Sequence, residues 1–130
     1  MQFMDVRQGE EPSGMAEKSS FTRAKYRRGD RIVLEGNLGD ALYLIVSGQV
    51  AVVKNLNSDK RKTLAKLGPG GIFGEMSLLD GQPHAASIVA LEETELSTMS
   101  QDEFHALFDE MNPIMQGIVQ LLIDRLRQNI

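Results

Sequence analysis

Cysteine is absent from this chain of 130 residues, so disulfides, thiolate nucleophiles and thiolate metal ligands are excluded. Histidine is scarce: His84 and His105 stand alone, and two isolated imidazoles do not make a metal site. No apolar run approaches the roughly 20 residues that a membrane-spanning helix needs, and the first residues lack the basic-then-apolar order of a secretory signal. The expectation is a soluble, cytoplasmic protein. An excess of positive charge is also missing. Asp and Glu number 18 against 14 Lys and Arg, which argues against a dedicated nucleic-acid surface but leaves small anionic ligands open.

What is present reads as one domain with a single core. Residues 1–20 are polar and without sustained period, predicting a flexible arm or a poorly anchored helix, and the fold is assigned to residues 21–130. Short apolar runs follow at Ile32–Leu34, Leu42–Val46, Val50–Leu56, Lys62–Leu67, Ala86–Leu91 and Thr94–Met99. Glycine, aspartate, asparagine and proline separate them, as at Gly36–Asp40, Asn57–Asp59 and Asp80–Pro83. Such spacing predicts a mainly β sandwich or barrel.

The last third changes period. Ser100 with Glu103 matches a capping box, and Phe104, Leu107, Phe108 and Met111 fall on one face of a short helix. Asn112-Pro113 then reads as an N-cap and first helical residue. Beyond it, Ile114, Met115, Ile118, Val119, Leu121, Leu122 and Leu126 form a broad apolar surface, one side of which is expected to pack on the barrel. Arg125 and Arg127 suit the negative end of that helix's dipole.

The most specific stretch runs from Gly70 to Val89. Gly70, Gly71 and Gly74 permit close backbone approach, Glu75–Leu79 is helix-permissive, and a strand resumes at Ala86 after a turn, with His84 and Ala85 at the bend. This reads as an anion cradle. Elsewhere, Gly36 and Gly39 are assigned turn roles, Lys60-Arg61-Lys62 a solvated hairpin tip, and the acidic residues around His105 a solvated helix face.

The order Phe73-Gly74-Glu75, Leu78-Leu79, a short loop, then His84-Ala85-Ala86 resembles the phosphate-binding cassette of the cyclic nucleotide-binding domain family, of the catabolite activator and protein kinase A regulatory subunit type. Tyr26–Asp30, Gly39-Asp40 and Leu42–Ile45 match its opening strands in order, so the resemblance covers nearly everything after the arm. It implies a β-jelly roll, a double-stranded β-helix over about residues 21–99, followed by two C-terminal helices at about 101–111 and 113–129. It also implies a regulatory, non-enzymatic sensor that needs no cofactor and takes cyclic AMP or cyclic GMP as ligand. The implied ligand set is Gly74, Glu75, Met76, Ser77, Leu78, Leu79, His84, Ala85 and Ala86. Glu75 would accept the ribose 2′-hydroxyl, and His84 with neighbouring amides would meet the phosphate. A threonine at the position of Ala85 accompanies cyclic GMP in the family, so Ala85 favours cyclic AMP.

In the family the terminal helix moves over the base and in some members pairs two subunits. Ile114, Ile118, Leu121 and Leu122 are the residues expected to pack or to form a dimer face, toward an output protein that the sequence does not identify. No helix-turn-helix, kinase or channel segment follows Ile130, so direct nucleic-acid binding is not expected of these residues.

One departure from the family pattern is central: His84 stands where the family carries arginine. Losing a charged hydrogen bond of about 1.5–3 kcal/mol lowers affinity roughly tenfold to over a hundredfold. A bound phosphate would in turn raise the imidazole's pKa and restore part of the contact. The competing expectation is a degenerate cassette that binds no nucleotide and persists as an interaction or dimerisation module.

Overall fold

The strands are short because turn residues interrupt every apolar run, and eight of them close into two layers. The computed structural model describes residues 21–129; the arm expected over residues 1–20 lies outside them. In chain order the elements are β1 (Phe21–Tyr26), β2 (Arg31–Val33), β3 (Ala41–Ser47), β4 (Val50–Lys54), β5 (Lys62–Leu67), β6 (Ile72–Phe73), α1 (Glu75–Asp80), β7 (Ser87–Ala90), β8 (Thr94–Ser100), α2 (Gln101–Asp109) and α3 (Pro113–Gln128). One four-stranded sheet has the order β1-β8-β3-β6 and the other β2-β7-β4-β5, with antiparallel pairing throughout. This is the expected mainly β jelly roll with C-terminal helices.

The core lies between the sheets, where Ile45 pairs with Leu96 in register and both join Val33, Val50, Phe73 and Ile88. Ile45 and Leu96 are fully buried. A second cluster, Leu42, Leu78 and Met99 with Phe21 and Phe104, fastens α1 and α2 to the first sheet. At the outer edge, β5 exposes nearly all its residues and carries Lys62 and Lys66, charges that discourage pairing with another chain.

Two strands were not among the predicted runs. β1 alternates apolar and polar residues around two basic ones, and its strand state follows from pairing with β8 along its whole length. β6 has only two residues between glycines, and its pairing of Phe73 with Tyr43 defines it; the two rings stack with centroids 4.8 Å apart.

The helix termini follow the sequence rules. The Ser100 side chain accepts from the Glu103 amide at 3.2 Å while the Glu103 carboxylate accepts from the Ser100 amide at 3.3 Å, completing the capping box. The Asn112 side chain accepts from the Ile114 amide at 2.8 Å ahead of Pro113.

α3 is buried on one side and exposed on the other. Ile123 is its buried residue, whereas Ile114, Ile118, Leu121 and Leu122 are exposed by 72%, 45%, 48% and 50%. These four therefore leave a large part of their apolar surface uncovered by the described chain. Polar bonds also hold α3: Gln116 Nε2 donates to the Phe108 carbonyl at 2.7 Å and Gln120 Nε2 to the Leu79 carbonyl at 3.2 Å. The helix makes its main contact with α1 and is bonded to the end of α2, so much of its apolar surface stays uncovered. His105 leaves its expected solvated face, its Nε2 donating to the Leu78 carbonyl at 2.8 Å and tying α2 to α1.

Candidate ligand-binding site

β6 belongs to one sheet and β7 to the other, so the segment between them, α1 with its following loop, crosses from layer to layer. It forms one wall of a cavity of about 260 Å³. Gly74, Glu75, Met76, Ser77, His84, Ala85 and Ala86 all line it, together with Val33, Val52, Ile88 and Phe73 of the strands and Leu126 of α3. Seven of the nine expected ligand residues thus converge. Leu78 and Leu79 do not: Leu78 is buried against Leu42 and Met99, and Leu79 lines a separate apolar cavity under α2 and α3. The turn of α1 that points Ser77 at the cavity carries the next two side chains away from it.

Two glycines make this geometry possible. Gly74 begins α1 at φ 90°, and a Cβ there would lie 2.7 Å from the Ala41 carbonyl oxygen, so both conformation and space require glycine. Gly39 was assigned a turn role on sequence alone. It has no positive φ; a Cβ at Gly39 would lie 2.6 Å from the Ser77 Cβ and 3.2 Å from His84 Cε1. Its function is close approach, letting the β2–β3 loop press on the cassette. Backbone bonds make the same clamp, the His84 amide donating to Asn37 at 2.8 Å and the Gly36 amide to His84 at 2.9 Å.

The cavity's polar groups are few. Burial pushes the Glu75 carboxyl above the usual carboxylate range, only partly opposed by a bond from its own amide, which is its sole polar partner among the described residues. His84 Nδ1 lies 3.1 Å from Ser77 Oγ. Burial and then the Arg127 guanidinium lower the imidazole's pKa, against a smaller opposing influence of Asp40, so the ring is neutral at neutral pH. Outside this cavity, behind Phe73, on which its ring stacks, the Tyr43 phenol is raised to about 12 by desolvation.

Arg127 lies in the last turn of α3, as the dipole reading had it, but sequence reasoning missed its contact with the cassette. Instead of only complementing the α3 dipole, it reaches back to the cassette: Nε donates to Asp80 Oδ2 at 2.7 Å, Nη2 to Asp80 Oδ1 at 3.0 Å, and Nη1 to the Pro83 carbonyl at 2.9 Å. Burial raises the Asp80 carboxyl, but Arg127 and the Gln82 amide more than offset it and hold the group below its ordinary value. Only its basic character and proximity to the C-terminus marked Arg127 in the sequence; a contact 47 residues away has no local signature.

Fold and site together define a jelly-roll domain with a helical cassette between its sheets and a terminal helix beside it. The model of the family described as "Cyclic nucleotide-binding domain" matches residues 23–111, and the chain belongs to that family. It is 42% identical over 110 residues to the cyclic AMP receptor protein of Thermus thermophilus, covering 85% of this chain and 51% of that protein. Over 92 residues it is 38% identical to the cAMP-dependent protein kinase regulatory subunit of Aspergillus niger, covering 71% of this chain and 22% of that one. Among solved structures, the cAMP-bound form of the EAL enzyme Bd1971 superposes with a TM-score of 0.77 at 31% identity, over 83% of this chain and 29% of that one. The chain thus spans about half or less of the length of these relatives. Among the described residues no helix is long and apolar enough to cross a membrane, and no cluster of His, Asp and Glu is arranged to hold a metal ion.

Proposed function

We propose that residues 21–130 form a non-enzymatic sensor domain that binds a cyclic nucleotide, preferring cyclic AMP, and passes the binding event to α3. One observation carries this reading: a carboxyl with no partner but its own amide, Glu75, lines the same small cavity as His84, Ala85 and Ala86. A sugar hydroxyl donating to Glu75 would satisfy a group that the protein leaves nearly unpaired, and the amides of Ala85 and Ala86 with the His84 ring would receive the phosphate. Ala85 offers no hydroxyl for a guanine. The relatives named above, a cyclic AMP receptor protein and a cAMP-dependent kinase subunit, support the same ligand class.

The cavity of about 260 Å³ lies below the roughly 300–1,000 Å³ usual for small-molecule sites. On this reading the wall formed by Leu126 moves to admit a whole nucleotide, which would make α3 the element whose position reports binding. The exposed Ile114, Ile118, Leu121 and Leu122 are the surface we assign to a second copy or an output protein. Isothermal titration calorimetry with cyclic AMP and cyclic GMP tests the sensor reading, with heat of binding expected for cyclic AMP first. Silence of both at millimolar concentration would leave the interaction-module reading in its place. Light scattering on the same samples measures whether the α3 face pairs two copies.

The imidazole at the arginine position has a pH signature. Because His84 starts with a lowered pKa and a bound phosphate raises it, binding takes up a proton between the two values. Affinity is therefore expected to rise as pH falls from about 8 to about 6. The charged and titratable groups around the ring are Arg127 from α3, Asp40 from the β2–β3 loop and Glu75 in the shared cavity. His84→Arg replaces the titrating cation by a permanent one. Titrations of that variant should be tighter at about pH 8 and lose the His84 part of the pH dependence; a pH profile identical to that of the parent would remove His84 from the phosphate site.

A further inference from the structure

We propose that Arg127 is the phosphate-pairing cation of this pocket, supplied by the terminal helix in place of the arginine that the cassette lacks and held by Asp80 until phosphate competes for it. The inference rests on the cyclic nucleotide reading above and adds to it the residue that recognises the anion.

Three features of the geometry point to this role. The first is place: Leu126, the preceding residue, lines the cavity, so the last turn of α3 stands at its edge. Arg127 Nη2 lies 3.4 Å from Ser77 Oγ, the same hydroxyl that lies 3.1 Å from His84 Nδ1. The guanidinium and the imidazole therefore share one hydroxyl at one corner of the site. The second is shape. Arg127 grips Asp80 through Nε and Nη2 at 2.7 and 3.0 Å, a two-pronged arrangement that a pair of phosphate oxygens also fits. Asp80 is thus an internal anion occupying the fork that an external anion would use.

The third is the surrounding charge. His84 is neutral at neutral pH, and Arg127 is one reason for it, so the phosphate corner already contains a permanent cation. Lys54 also reaches the cassette, donating to the Ala85 carbonyl at 2.7 Å and pairing with Glu35; neither cation lines the cavity itself, but of the two it is Arg127 that bonds to the side chain of a lining residue, Ser77. The remaining bonds of Arg127, to the Pro83 carbonyl at 2.9 Å and the Gln82 carbonyl at 3.3 Å, hold it over the loop that ends at His84. A long side chain can exchange Asp80 for a phosphate by changing rotamer. In doing so it draws the last turn of α3 toward the ligand, which couples anion recognition to the helix expected to carry the signal.

Calorimetry with cyclic AMP on the full chain tests this, using the parent, Arg127→Gln, Arg127→Lys and Asp80→Asn. Arg127→Gln is expected to weaken binding about tenfold or more, and Arg127→Lys to recover part of that loss, since it restores charge without the fork. Asp80→Asn should tighten binding several-fold, because it removes the competing anion. In the parent protein labelled with ¹⁵N-arginine, the Arg127 Nε resonance should move on adding cyclic AMP and stay in place with adenosine, which has no phosphate. Unchanged or tighter binding by a folded Arg127→Gln would overturn the proposal and make the pair a brace that closes the site, with the sensor reading intact. Should that variant fail to fold, an Nε resonance in the parent that does not respond to cyclic AMP would overturn it equally. Absence of binding of either cyclic nucleotide to the parent would sink the sensor reading itself, and this inference with it.

Discussion

Glu75→Gln is expected to lower cyclic AMP affinity by roughly tenfold or more while raising the stability of the unliganded fold. Both effects come from one cause. Burial raises the carboxyl's pKa and no basic residue among those described offsets it, so its charge at neutral pH is a cost to the folded state. The sign follows from proton binding. With a folded pKa above the unfolded value of about 4.3, the native state holds more protons in that interval, and stability falls as pH rises through it. The cost is fully present above the raised folded value and vanishes below the unfolded one. Glutamine keeps the shape and an acceptor oxygen but removes the charge. Its stabilising effect should therefore be seen at neutral pH and fade in acid, whereas a ribose hydroxyl loses its charged partner. Thermal melts at about pH 7 and about pH 4, paired with cyclic AMP titrations, measure both effects. A variant that is destabilised at neutral pH and binds as the parent does would show that Glu75 supports the fold and not the ligand.

Ile45→Ala is expected to lower the unfolding free energy by about 2–5 kcal/mol, a large part of the roughly 5–15 kcal/mol that holds a domain folded. Ile45 is fully buried, pairs with Leu96 in register and packs with Val33, Val50, Phe73 and Ile88 between the sheets. The jelly roll cannot collapse readily around a missing side chain there, because both layers are pinned by their ladders, so a cavity term adds to the lost transfer energy. Its backbone matters as well: the Ile45 amide donates to the Gly71 carbonyl at 2.9 Å, and its carbonyl accepts from the Gly70 amide at 2.8 Å. Those bonds hold the approach to β6 and the cassette, so a loosened core should also weaken ligand binding. Urea denaturation gives the first quantity. A loss below about 1 kcal/mol would mean that the two sheets repack around the gap.

Much of this was legible in the chain because it rests on local chemistry. The capping box of Ser100 and Glu103, the Asn112-Pro113 start of α3 and the glycine at the start of α1 each satisfy or constrain backbone groups a few residues away, and all are present as read. The cassette's convergence was legible for a different reason: Glu75, Ser77, His84 and Ala85 are close in sequence and separated by one turn. Pattern alone overstated α1, since Leu78 and Leu79 follow the same helix but face two other apolar regions.

The sequence by itself determined that the chain alternates strands and turns, ends in helices and carries a cassette with histidine in the arginine's position, because periodicity, caps and turn residues act within a few residues. Only the tertiary structure decided that β6 is a strand, that Gly39 is needed for contact with Ser77 and His84, and that much of the apolar face of α3 is uncovered. It also placed Arg127 on Asp80, beside the hydroxyl that His84 shares. Each of these depends on elements far apart in the chain meeting in one place, and such contacts are selected by packing between layers, which no local pattern encodes.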